Sequence, residues 1–171
     1  MAPPASRIIV IEMSDHGVQL MTPALFERVL GQARSSPRRR MNFNFHATLD
    51  ENPSRLLNVL LRGTYIRPHR HSNPPKAESF VVLDGRIAIL IFDDAGRIEQ
   101  RYALGREDGA LGVDIAPGIW HTAAALSEHA VCFEVKPGPY VQAADKEFAP
   151  WAPREGDPGC AAYLETLLCG L

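Results

Sequence analysis

Cysteine is scarce in this chain: three among 171 residues, Cys132, Cys160 and Cys169, with no CxxC spacing. That odd set supports neither a disulfide framework nor a structural zinc knuckle, and it suits the reduced thiols of a cytoplasmic protein. Long apolar runs are missing too. No segment approaches the ~18 continuous apolar residues of a membrane span, so no membrane partner is expected. The opening Met1-Ala-Pro-Pro-Ala-Ser-Arg7 has no charged patch followed by an apolar stretch, so no secretory signal is expected. Nor is there an excess of one charge: 20 acidic against 18 basic residues leave a net −2. Such a balance gives no basis for a nucleic-acid partner held by bulk charge.

Turn-forming residues, by contrast, are plentiful. Fourteen prolines and thirteen glycines suit a chain that reverses often. Its length fits one domain with modest extensions. The divisions are a strand–helix extension over 1–40, a β-rich body over 41–153 and a helical tail over 154–171. Residues 7–12 (Arg-Ile-Ile-Val-Ile-Glu) form a short apolar strand pattern. Thr22-Pro23 resembles an N-cap with proline at the first helical position, and Phe26, Val29, Leu30 and Ala33 follow at helical spacing. From Met41 the period becomes two, with Met41, Phe43, Phe45 and Ala47 alternating with Asn42, Asn44 and His46. Further strands are expected over 55–61, 78–83, 86–92, 98–104, 112–115, 120–125 and 130–136. Asp84-Gly85 predicts a hairpin between the second and third of these. Short strands in such a series predict an antiparallel sandwich or small barrel. A terminal helix beginning near Asp157-Pro158 would carry Leu164, Leu167 and Leu168 on one face.

The chemistry concentrates in His69-Arg70-His71, followed by Glu78 and later by His121. Histidines at i and i+2 share one face of a strand, because side chains alternate across a sheet. Two such imidazoles, joined by a carboxylate and a third imidazole, make a cage for a divalent ion. A lone HxH pair is more often two surface histidines. Glu78, Gly85 and Pro117-Gly118-Ile-Trp-His121 in register favour the metal reading.

These residues carry a family resemblance. Gly63, His69-x-His71, Glu78 and Gly85 resemble the first motif of the cupin superfamily, and Pro117-Gly118-Ile-Trp-His121 resembles the second. The resemblance implies a mainly β, single-domain cupin jelly-roll barrel with a helical N-terminal extension and a short C-terminal helix. It also implies one divalent metal per chain (Fe, Mn, Ni or Zn), held by His69, His71, Glu78 and His121. The chain departs from the pattern in its histidine-to-glutamate gap, widened by Ser72-Asn-Pro-Pro-Lys-Ala77, an expected lip at the barrel mouth. Ala125 stands where many cupins have asparagine.

A closer resemblance, over roughly residues 20–153, is to the WbuC-type cupin-fold metalloproteins. Ser36-Pro-Arg-Arg-Arg40, Asn44-Phe-His46, Thr64-Tyr-Ile-Arg-Pro-His-Arg-His71, Lys136-Pro-Gly-Pro-Tyr140 and Asp145-Lys-x-Phe-Ala-x-Trp-Ala152 carry it. That group is associated with bacterial surface-polysaccharide gene clusters. The resemblance therefore implies action on a saccharide or nucleotide-sugar intermediate, by isomerisation or related proton transfer. An Fe(II)-dependent oxygenase of a small molecule and a non-catalytic sugar-binding cupin are the alternatives.

Other residues are candidates for the pocket. Parity counted back from His69 puts Tyr65 and Arg67 on the metal-facing side, where Tyr65 can hydrogen-bond a ligand and Arg67 can fork a carboxylate or phosphate. Lys76, in the insert, is either a gate at the mouth or a free surface lysine. The polar face of His46 is compatible with both pocket and solvent. Cys132, Glu134 and Lys136 share a face; turned inward, Glu134 is the candidate general base, and turned outward it pairs with Lys136. His16 and His129 are taken for ordinary surface residues. Basic groups around a metal predict a small anionic ligand. The apolar stretch 8–11, with no partner strand of its own nearby, predicts a homodimer.

Overall fold

The structure, a computed structural model, describes residues 17–171. The expected strand at 7–12 and His16 lie outside the described residues. The chain runs α1 (Pro23–Ser35), β1 (Arg40–Asn44), β2 (Ser54–Leu61), β3 (His69–Arg70), β4 (Glu78–Asp84) and β5 (Arg86–Phe92). It continues through β6 (Ile98–Gly105), β7 (Gly112–Ile115), β8 (Trp120–Ala125), β9 (His129–Lys136), β10 (Glu147–Phe148) and α2 (Cys160–Leu168). Strands β1-β2-β9-β4-β7 make one five-stranded sheet and β10-β3-β8-β5-β6 the other. Every pairing is antiparallel. The two sheets close face to face as a jelly roll, with a helix before the barrel and a short one after it.

Alternation assigns the faces. Leu60, Phe80, Val82, Ala130 and Cys132 of the first sheet meet Ile87, Ile89, Ala123 and Ala125 of the second in one interior cluster. The outer face of the first sheet is covered by α1, whose Leu25, Val29, Leu30 and Ala33 pack on Phe43, Leu57, Val59, Leu61 and Val131. The helical stripe thus begins at Leu25, and Phe26 lies at its margin. Thr22 Oγ1 accepts the Leu25 N–H at 3.2 Å, and Pro23 occupies a first-turn position whose N–H would lack a helical partner anyway. On the second sheet Ala88, Leu90, Phe92 and Trp120 lie beneath Ala149, Ala152 and Leu167, while Tyr65 and Ala124 pack on Leu164. Helix α2 starts at Cys160, after a turn in which Asp157 accepts the Arg154 N–H at 2.9 Å.

Two sequence expectations need correction. Asp84-Gly85 does not join a hairpin: β4 pairs with β7 and β9, whereas β5 pairs with β6 and β8. The chain crosses there from one sheet to the other. A bulge between Val82 and Asp84 bends the strand, and Gly85 adopts φ +72°, a left-handed conformation that favours glycine. The expected strand through Tyr65 and Arg67 is reduced to β3, since residues 64–68 have no strand pairing. Pro68, with no N–H for a ladder, stands directly before β3.

Candidate metal centre

His69 of β3 and His121 of β8 are direct cross-strand partners and therefore share a face. Glu78 opens β4 in the facing sheet, with the inward parity of Phe80 and Val82. His71 follows β3 at i+2 from His69, and the insert turns back through a bridge between Ser72 and Pro75 to deliver Glu78. The four side chains offer ligand atoms that all lie within 4.8 Å of one another. His121 Nε2 is 3.0 Å from Glu78 Oε2, and His71 Nε2 is 3.6 Å from the same oxygen. All four residues are no more than 3% exposed.

The tautomers follow from the backbone. His69 Nδ1 lies 3.0 Å from the Arg67 carbonyl oxygen, and His121 Nδ1 lies 2.9 Å from that of Ile119. His71 Nδ1 contacts the carbonyl of Asp145. A carbonyl can only accept, so each Nδ1 carries the hydrogen and each Nε2 keeps its lone pair for the centre. The Nε2 atoms of His69 and His71 are buried without a hydrogen-bond partner. Orphaned buried acceptors are costly in a native interior, and a divalent ion would satisfy them. The donor set therefore fits the expected metal. Burial, and next the charge of Lys146, holds His69 well below the ordinary imidazole range, favouring the neutral form that ligates. Burial acts against the Glu78 carboxylate, but His121 and His71 overcome it and hold the group well below the usual range.

Beside the ligands lies a buried ionic cluster that the sequence exposed only in part. Cys132, Glu134 and Lys136 of β9 face inward, opposite Asn58, Leu56 and Ser54 of β2. Glu134 Oε2 accepts a hydrogen bond from Asn58 Nδ2. Lys136 Nζ is 2.9 Å from Asp145 Oδ2, 3.5 Å from Glu134 Oε1 and 3.7 Å from Glu78 Oε1. Burial works against the Lys136 charge, yet Glu134, Glu78 and Asp145 more than offset it and hold the ammonium above the lysine range. Burial and the nearby Glu78 push the Glu134 carboxyl up to about 7. Asp145 and Lys146 were not singled out from sequence as site residues. They arrive from an irregular segment after β9, where no periodicity marks a face.

The remaining candidates are placed as follows. Tyr65 lies on the outer face of the second sheet with Ala124 and Leu164, and its hydroxyl donates to the Pro153 carbonyl at 2.9 Å. Arg67 points to the same side and forks the Ala149 carbonyl through Nε and Nη2 at 3.1 and 2.6 Å. The metal-facing parity expected for both fails because the chain through 64–68 is not a strand. Lys76 is buried and donates to the Pro139 carbonyl at 2.8 Å, with Asp145 Oδ1 at 3.4 Å. It ties the insert to the segment after β9. His46 is buried, and its Nδ1 accepts the Arg55 N–H at 3.1 Å. His129 is partly exposed, 3.2 Å from Asp84 Oδ2.

Comparison with known proteins adds fold and little else. Residues 21–104 match the family model of a domain of unknown function (DUF6016), slightly less than half of the chain. No curated protein matches. Among solved structures, the capsular polysaccharide assembling protein CapF from Staphylococcus aureus is similar at 23% identity and a TM-score of 0.52. That match covers 63% of this chain and 28% of CapF, so the chain spans less than a third of that protein's length. Oxalate decarboxylase from Bacillus subtilis matches at 23% identity over 58% of this chain and 24% of its own, with a TM-score of 0.46. A conserved protein of unknown function from Streptococcus pyogenes matches at 16% identity over 62% of this chain and 80% of its own, with a TM-score of 0.47. At these identities the likeness is one of fold.

Proposed function

We propose that this chain is a WbuC-type cupin that binds one divalent metal through His69, His71, Glu78 and His121. Its substrate is an anionic saccharide or nucleotide-sugar intermediate of bacterial surface-polysaccharide biosynthesis. The observation that carries the metal assignment is the pair of buried, unpartnered Nε2 atoms facing Glu78. The fold likeness to a capsular polysaccharide assembling protein supports the substrate class. A bound Fe, Mn, Ni or Zn ion would act as a Lewis acid toward a carbonyl or hydroxyl oxygen.

The reaction proposed is an isomerisation by proton transfer. Glu134 is an inward carboxyl of β9 outside the ligand set and beside Glu78. It takes a proton from the hydroxyl-bearing carbon beside a carbonyl and delivers it to the former carbonyl carbon, while the hydroxyl proton passes to the carbonyl oxygen, so the net change is an isomerisation. Asn58 and Lys136 position that carboxyl. The chain is further proposed to act in the cytoplasm as a homodimer, and light scattering should give twice the chain mass.

The test is deuterium incorporation from D2O into a panel of nucleotide sugars, followed by NMR, with metal content measured in parallel. Stoichiometric metal and incorporation by the wild type are expected, with incorporation lost but metal kept in Glu134→Gln. Oxygen consumption by the iron-loaded protein would instead favour the oxygenase alternative. Full metal occupancy in a His71→Ala, His121→Ala double variant would falsify the ligand assignment.

A further inference from the structure

Three lysines approach the ionic cluster, and two are engaged. Lys76 is held by Asp145 and the Pro139 carbonyl, and Lys136 by Asp145, Glu134 and Glu78. The third, Lys146, has no hydrogen bond or ion pair among the described residues. It is half-buried and lines a cavity of about 270 Å³ between the insert and the segment after β9, with Ser72, Asn73, Ala143, Ala144 and Glu147. Glu147 is the one carboxylate among these six residues, and it is already engaged. Arg70 forks it at 2.8 Å through both Nε and Nη2, and Ser72 Oγ donates to it at 2.6 Å. The free charge of the cavity is therefore positive.

The cavity also adjoins the metal centre through its own walls. Ser72 is the next residue after His71, and Lys146 follows Asp145, whose carbonyl holds the His71 ring. A half-buried ammonium with no hydrogen bond or ion pair is a good anion receptor, because a low-dielectric wall strengthens its field and no contacting partner must first be displaced. Glu78, Glu134 and Asp145 act on it from beyond ion-pair distance.

We propose that this cavity is an anion subsite in which Lys146 grips a carboxylate or phosphate of the ligand while the rest of that ligand reaches the metal centre. Asn73 and Ser72 supply neutral donors at the rim. This deepens the functional reading above and rests on it. It also moves the cation expected to recognise the anion from Arg67 and Lys76, both engaged by backbone carbonyls, to Lys146.

The experiment is calorimetric titration of the metal-loaded full chain with inorganic phosphate, malonate and neutral N-acetylglucosamine, at low and high salt. Lys146→Met keeps the apolar stem and removes the charge, Lys146→Arg keeps the charge, and Arg106→Gln controls for net charge on an exposed residue. Lys146→Met should weaken phosphate and malonate at least tenfold and flatten their salt dependence. Lys146→Arg should stay within about threefold of wild type, which fits exchange of one cation for another, and Arg106→Gln should match wild type. Preference between phosphate and malonate identifies the anionic group. Equal anion affinities in wild type and Lys146→Met, or no anion binding by wild type, would overturn the subsite. Metal content, assayed on the same samples, reports separately on the metal reading.

Discussion

Lys136 is the residue on which the interior charge balance turns. Its ammonium lies among Glu78, Glu134 and Asp145, all buried. Removing it strands carboxylates in a dry interior, a change that costs about 3–5 kcal/mol when a buried pair is broken from one side. Lys136→Met should lower the denaturant midpoint accordingly, and adding Glu134→Gln should restore part of the loss; no change in midpoint would mean that water reaches the cluster. The shared face of Cys132, Glu134 and Lys136 was legible from strand alternation, but its direction was not. Asp145 was invisible as a partner because the chain after β9 follows no period. Glu147, at the surface, gives a pH test. Hydrogen bonds from Arg70 and then Ser72 lower its pKa to about 2, beneath the ordinary carboxylate value of about 4.3. A depressed carboxylate adds stability above its unfolded pKa and loses it as pH falls through the folded one. Melting scans should therefore show wild type losing stability between pH ~4.3 and ~2 more steeply than Glu147→Gln. Parallel curves would leave the Arg70 fork without energetic effect.

Among the elements, β3 and the crossing at Gly85 shape the site most. The HxH pair was legible, and so was its shared face, because i and i+2 alternation needs only a short stretch of extended chain. What failed was carrying that parity back through Pro68 to Arg67 and Tyr65, where no partner strand enforces it. Asp84-Gly85 misled for a related reason: a left-handed glycine serves a sheet-to-sheet crossing as well as a hairpin, and local sequence does not reveal which strands pair. Two of the motif glycines, Gly85 and Gly118, should accordingly respond differently to alanine. Gly118 has φ +81° and open space around the Cβ position, so Gly118→Ala should cost only about 1 kcal/mol for the left-handed backbone. At Gly85 a Cβ would overlap the His129 carbonyl oxygen and press on Ser127 Oγ. Gly85→Ala should therefore cost about 3 kcal/mol or more, strain and overlap together. Chemical denaturation of the two variants checks the order, and equal losses would show that the crossing relaxes freely.

At the scale of the molecule, the candidate metal centre joins the two sheets. His69 and His121 belong to one, Glu78 belongs to the other, and His71 hangs between the insert and the Asp145 carbonyl. Beyond the centre and the ionic cluster around Lys136, the interior between the sheets is apolar packing around Phe80, Ile87, Ile89 and Ala123. A ligand that binds only the native state stabilises it by mass action, about 4 kcal/mol when present at a thousand times its dissociation constant. For a chain of this size each kcal/mol moves the melting point by about 2–4 °C. Chelation should thus lower Tm by about 8–16 °C on the same arithmetic, and resupplied metal should restore it. In His121→Ala the chelator should have little effect, since three donors from the same cage no longer close around the ion. The loss should also be cooperative, because removing the centre weakens one end of a continuous interior rather than releasing a separate lobe. A wild-type Tm indifferent to chelation would mean that the sheets hold together without the centre, leaving the buried Nε2 atoms of His69 and His71 with some other partner.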